Sequence, residues 1–86
     1  MENQGEPKYW YVYLLKCADN SSYRGCTCDL KERLTRHKKG QVSFTRSKLP
    51  IELITCVAFK NKYKAFEFEK YLKSGAGRAF AKKRLL

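Results

Sequence analysis

From Tyr9 to Lys16 the chain reads YWYVYLLK, an almost unbroken apolar run of aromatic, β-branched and leucine residues. That composition favours extended backbone, and the lack of polar alternation predicts a strand covered on both faces. In a chain of 86 residues there is room for one core only, so this strand has to lie at its centre. Ala18-Asp19-Asn20-Ser21 is turn chemistry, and Ser22 to Cys26 supplies a second strand, so the two form a hairpin.

Asp29 is placed to cap a helix, with Glu32 three residues later completing a capping box. This helix is expected to run through Lys39 and to end at Gly40. Leu30, Leu34 and His37 fall on one stripe of it, with Arg33 alongside. Residues 41–50 carry Ser, Thr and Pro without a period and are expected to be a loop. A third strand follows over Ile51 to Phe59, entered at Pro50. Lys62 to Lys73, with Ala65, Phe66, Phe68 and Leu72, predicts a second helix, broken by Ser74-Gly75-Ala76-Gly77. A short basic helix over Arg78 to Leu85 would dock Phe80 and Leu85 on the core. The expected order is ββαβαα: an α+β domain over residues 9–86, with a three-stranded antiparallel sheet flanked by helices and a loose segment over residues 1–8.

Nineteen Lys and Arg against eight Asp and Glu leave a formal charge of +11. The cations are dispersed along the chain and not gathered in a tail, so a basic surface on a folded body is expected. Such a field attracts polyanions, nucleic acid above all. With 43% hydrophobic and 31% charged residues, the chain has the composition of a folded domain, not of a disordered one. MENQGEPK is neither a secretory signal nor a transit peptide, and no apolar run approaches the ~18 residues of a membrane span. Both point to a cytoplasmic protein away from membranes. Cys17, Cys26, Cys28 and Cys56 are then expected as reduced, buried thiols, Cys17 and Cys56 packing within strands. A zinc site from Cys26, Cys28 and His37 is the alternative, at a spacing unlike that of zinc ribbons.

Glu69 lies four residues after Ala65 and three before Leu72, close to the apolar stripe of its helix. A carboxylate facing inward needs a cation, either a metal ion or a neighbouring Lys or Arg, unless it sits at the edge of the stripe and reaches water. Arg33 and His37, at i and i+4, share a helix face where one can neutralise a phosphate and the other relay a proton; they also fit a solvated basic helix. Tyr13 and Tyr23 sit on the two hairpin strands, as candidate phenols of a site or as ordinary strand aromatics.

Taken in order, these residues resemble the GIY-YIG endonuclease domain, in particular its small stand-alone members and the N-terminal nuclease domain of the bacterial excision-repair subunit UvrC. Tyr11-Val12-Tyr13 stands where the GIY motif belongs and Tyr23-Arg24-Gly25 where YIG does. CTCDLKERLTRH resembles the family's arginine helix, FTRSKLPIELI its loop-to-strand segment, and AFEFEKYLKSGAGRAF its glutamate helix with a glycine-bearing exit. Two motif positions depart from the pattern: Tyr11 replaces the first glycine and Arg24 the second isoleucine. Cys26 also stands where some relatives carry a lysine.

The resemblance implies a metal-dependent endonuclease acting on DNA, branched or damaged, in repair or recombination, with an unidentified protein partner to target it. It places a divalent cation, Mg2+ or Mn2+, on Glu69 and puts Arg33 against charge developing at phosphorus. Tyr13 would take the proton of the attacking water, Tyr23 would orient that water, and His37 would assist. Arg24, Gly25, Arg36 and Arg46 are expected to contact substrate, Gly25 by letting backbone approach closely. A module of the same fold that binds nucleic acid but hydrolyses poorly is the alternative.

Overall fold

The structure, a computed structural model, describes residues 7–86, so the segment expected to be loose over residues 1–8 falls mostly outside the described residues. The elements are β1 (Trp10–Lys16), β2 (Ser22–Thr27), α1 (Leu30–Lys38), α2 (Ser43–Arg46), β3 (Glu52–Phe59), α3 (Lys62–Leu72) and α4 (Gly75–Arg84). The strands form one antiparallel sheet in the order β2-β1-β3.

β1 is central because it is the strand that can afford no solvent. Val12, Tyr13, Leu14 and Leu15 are all 0% exposed, and hydrogen-bonded neighbours on both sides satisfy the backbone between them. Burying an aliphatic side chain of this size contributes about 1.5–3 kcal/mol. The hairpin closes where Cys17 N–H donates to Ser21 C=O at 2.9 Å, with Asn20 at φ 69°. Asparagine tolerates that left-handed backbone, and Asp19 stabilises the turn by accepting the Ser21 N–H at 3.0 Å.

Alternation along β1 sorts its side chains between two layers. Val12 and Leu14 join Ala65 and Leu72 of α3 and Ala81 of α4, with Trp10, Cys26, Phe59, Phe68 and Leu85 packed around them. Tyr13 and Leu15 point to the opposite face, where Tyr13 meets α1. Asp29 caps α1 by accepting the Glu32 N–H at 3.0 Å, and Gly40 (φ 74°) follows its end. The sheet is therefore sandwiched unevenly: α3 and α4 lie on one face, and α1 with α2 on part of the other.

Four expectations need correction. Residues 43–46 form a short helix inside the expected loop, held by a buried tertiary hydrogen bond between His37 and Thr45 and not by any sequence period. α4 begins at Gly75, three residues before the expected start, because Ser74 caps it by accepting the Gly77 N–H at 3.1 Å. Ala81 is the α4 residue buried in the core, whereas Phe80 remains 37% exposed against Phe68 and Tyr71. All four cysteines are free, but Cys17 alone is buried; Cys28 and Cys56 are exposed and Cys26 is intermediate. Cys56 is opposite Tyr13 in the register, on the face where helices cover only part of the sheet.

Candidate active site

The hairpin register places Tyr13 opposite Gly25 and Leu15 opposite Tyr23, so both tyrosines rise from the face that α1 covers. A Cβ on Gly25 would collide with the Tyr13 phenol. The glycine thus makes room for a tyrosine inside the fold, and Gly25 is itself buried. This is a different use of the glycine from the close approach of substrate expected of it.

α1 brings His37 down on the two phenols. Tyr13, Tyr23 and His37 form an aromatic trio with centroids 6.1, 5.8 and 4.9 Å apart. Tyr13 Oη lies 3.0 Å from His37 Nε2, and His37 Nδ1 lies 2.7 Å from Thr45 Oγ1. The Thr45 hydroxyl has the Val42 carbonyl as its own acceptor, at 3.5 Å. It can therefore receive the His37 Nδ1–H, which leaves Nε2 to accept the Tyr13 O–H and assigns the tautomer. Burial, then Arg33 and Arg36, hold His37 below its ordinary pKa, so the ring is neutral at pH 7. With both nitrogens engaged, this histidine has no lone pair for zinc. Among the described residues, no three His, Cys, Asp or Glu side chains come together to hold a metal ion.

Tyr13 is pushed well above the usual phenol range, first by burial and then by the Tyr23 phenol beside it, with Arg33 pulling the other way. Arg33 Nε is buried without a hydrogen-bond partner among the described residues. A buried guanidinium nitrogen left unpaired is costly, and a phosphate oxygen is the kind of acceptor that relieves it.

Glu69 comes from α3, in the layer on the other side of the sheet. Its carboxylate is paired with Lys73 at 2.9 Å and is 23% exposed. Cys26, near the end of the edge strand β2, reports where it lies: its thiol is raised by burial and then by Glu69, while Arg33 lowers it. Arg33 and Glu69 thus act on one thiol from opposite layers, around the open edge of β2. Arg24, also on β2, donates to Ser22 Oγ at 2.9 Å, and its Nε has no partner among the described residues. Arg36 is turned outward, 3.8 Å from Glu32 across one helical turn, and Arg46 is exposed on α2 with its stem beside Gly40.

Four residues that sequence reasoning missed belong to this neighbourhood. Thr45 orients His37, Phe44 packs tilted against Tyr23 at 5.5 Å, Lys73 holds Glu69, and Arg78 lines one depression with Arg24. Only the i, i+4 spacing of Lys73 from Glu69 was a signal available in the chain.

The fold is thus a small α+β domain in which two phenols, a buried histidine and an arginine with one unpaired nitrogen gather where β1, β2 and α1 meet. The family model described as the GIY-YIG catalytic domain matches residues 9–83. The chain belongs to the GIY-YIG family, a family of nucleases. It is 39% identical over 64 residues to a UPF0213 protein of Streptococcus agalactiae, covering 73% of each chain. It is 41% identical over 61 residues to one of Pediococcus pentosaceus, covering 70% of this chain and 64% of that one. The solution NMR structure of a UPF0213 protein from Bacillus halodurans superposes with a TM-score of 0.57 at 32% identity, covering 87% of this chain and 83% of that one. Among the described residues no helix is long and apolar enough to cross a membrane.

Proposed function

We propose that this chain is a cytoplasmic, divalent-cation-dependent endonuclease that hydrolyses a phosphodiester bond in DNA, with branched or damaged DNA in repair or recombination as its substrate. The observation that carries the reading is Arg33: a guanidinium with a buried, unpaired nitrogen, next to the Tyr13–His37 pair and on the same edge as Glu69.

Glu69 is a hard oxygen donor at 23% exposure and is the residue that would hold a Mg2+ or Mn2+ ion. When bound there, the ion supplies Lewis-acid polarisation of the phosphate. Glu69 must release Lys73 to hold it. Arg33 neutralises the charge that develops on the phosphorus oxygens, a contribution that is largest in the transition state. Tyr13 is 0% exposed and holds its proton tightly, so it is poorly placed to meet water directly. Tyr23, half-buried beside Phe44, is the phenol that contacts the attacking water. The proton it takes up passes through the Tyr13 hydroxyl towards His37 Nε2, which is neutral and already accepts from Tyr13. Arg24, Arg36 and Arg46 add phosphate contacts.

Cleavage assays with Mg2+ or Mn2+ on duplex, flap, junction and single-stranded DNA test this. Cleavage by the parent that is lost in Glu69→Gln, with DNA affinity retained, is the expected result. DNA binding without hydrolysis of any substrate would favour a second reading, a nucleic-acid-binding module of the same fold. The observations favouring that module are the closed Glu69–Lys73 pair and the buried Tyr13 phenol.

A further inference from the structure

Beside the aromatic trio lies a depression of about 320 Å³ lined by Ser22, Tyr23, Arg24, Phe44, Lys73 and Arg78. Two features set it apart from the rest of the basic surface. Its cations are in excess: Arg24 and Arg78 line it together, burial and then the Arg78 charge disfavour the charged form of Arg24, and Lys73 has Glu69 as its partner. Among the described residues, Arg24 Nε has no hydrogen-bond partner at all. Like charges brought together around an unpaired guanidinium nitrogen are stabilised by an anion between them.

The second feature is Phe44. It is 47% exposed: its ring is tilted by 43° against Tyr23, with centroids 5.5 Å apart, and the Lys48 ammonium lies over it, 4.9 Å from the centroid. Its neighbour Thr45 is 0% exposed and bonded to His37, which pins α2 in place. A half-exposed aromatic ring next to two arginines, one with an unpaired nitrogen, matches the two halves of a nucleotide, one apolar and flat, the other anionic.

We infer that this depression is a subsite for one unpaired nucleotide of the DNA strand, with the base stacked on Phe44 and its phosphate between Arg24 and Arg78. The inference rests on the nucleic-acid reading of the neighbouring site and narrows its substrate. A base within a continuous duplex already stacks on both sides and offers no free face, so the subsite selects single-stranded or extruded positions. Phe44 acts here as a specificity-determining residue and takes no part in bond breaking.

The test uses the full chain in the presence of a chelator, with an octathymidylate carrying one 2-aminopurine and a duplex of equal length. Binding of the single strand should change the 2-aminopurine fluorescence. Phe44→Ala should abolish that change and weaken single-strand affinity about tenfold while leaving duplex affinity unaltered. Phe44→Trp should restore both, which keeps the test decisive if the alanine disturbs α2. Arg24→Gln and Arg78→Gln should each flatten the log–log salt dependence of single-strand binding by about 0.7. Equal effects of Phe44→Ala on both DNA forms, no effect on either, or an unchanged salt dependence in the arginine variants would overturn the inference. Because the chelator prevents metal-dependent cleavage, a protein that binds in this way but hydrolyses nothing would remove the hydrolase reading and leave this one standing.

Discussion

His37 and Tyr13 are both 0% exposed, and each holds its proton inventory differently in the folded and unfolded chain. Folding lowers His37 from its ordinary 6.5, so below that value the unfolded chain binds a proton that the folded one resists. Stability is therefore full above about pH 6.5 and is lost as pH falls through the window between 6.5 and the lower folded value. Folding raises Tyr13 from its ordinary 10, so above pH 10 the unfolded chain gives up a proton that the folded one keeps. Stability from this group is full below about pH 10 and is lost as pH rises beyond it. Urea midpoints measured against pH should form a plateau between about 7 and 9 that declines on both sides. Tyr13→Phe should flatten the alkaline decline; a decline as steep as in the parent would place its origin elsewhere.

At the scale of elements, α3 and α4 meet at a pair of glycines with opposite roles. A Cβ at Gly77 would run into the Tyr71 carbonyl and lie 2.7 Å from Leu72 Cα, whereas one at Gly75 meets nothing within 4 Å. Gly77→Ala should cost about 2–3 kcal/mol through overpacking, outweighing the better helix propensity of alanine. Gly75→Ala should stabilise by about 0.5–1 kcal/mol, because it restricts only the unfolded chain. Thermal melts of the two variants should shift in opposite directions, and shifts of the same sign would refute the packing account. Lys73, at the end of α3, is paired with Glu69 at 2.9 Å and would compete with the cation proposed to bind there. Lys73→Gln should tighten Mn2+ binding several-fold in the absence of DNA, read by paramagnetic relaxation of water, and an affinity no better than the parent's would mean the pair is not the barrier. The strands and α1 were legible because each carries its own local signal: an unbroken apolar run, turn residues, a capping aspartate. α2 carried none, since a four-residue helix held by Thr45 against His37 exists only once α1 has docked. The start of α4 was hidden for a related reason: the glycines that look like breakers serve a close crossing of helices.

For the whole molecule, the decisive quantity is the +11 charge on 86 residues. If three to seven of these cations touch phosphates, log K against log salt for duplex DNA should have a slope of about −3 to −6. A slope near zero would rule out polyanion binding as the main role. Dispersal of the cations was plain in the sequence. The arrangement of the candidate site was only half so: Tyr13, Tyr23, Arg33 and His37 come from neighbouring elements, whereas Glu69 stands on α3 in the opposite layer, paired with Lys73. No local pattern encodes where it lies relative to them, and the same is true of Phe44 and Arg78, which line one depression with Arg24.

The fit of Tyr13 against Gly25 bears on how descendants of such a protein would drift. A line that had abandoned hydrolysis would still have to fill the centre of its sheet, and the phenol would still occupy the space that any side chain at position 25 would need. The glycine would persist there as a relic of architecture, long after selection on turnover had ended. Glu69, whose carboxylate closes no core, would be free to erode first. In a survey of natural variants, loss of the acidic group would therefore mark a retired enzyme if Glu69 has the role proposed for it, while the glycine would mark only a folded protein.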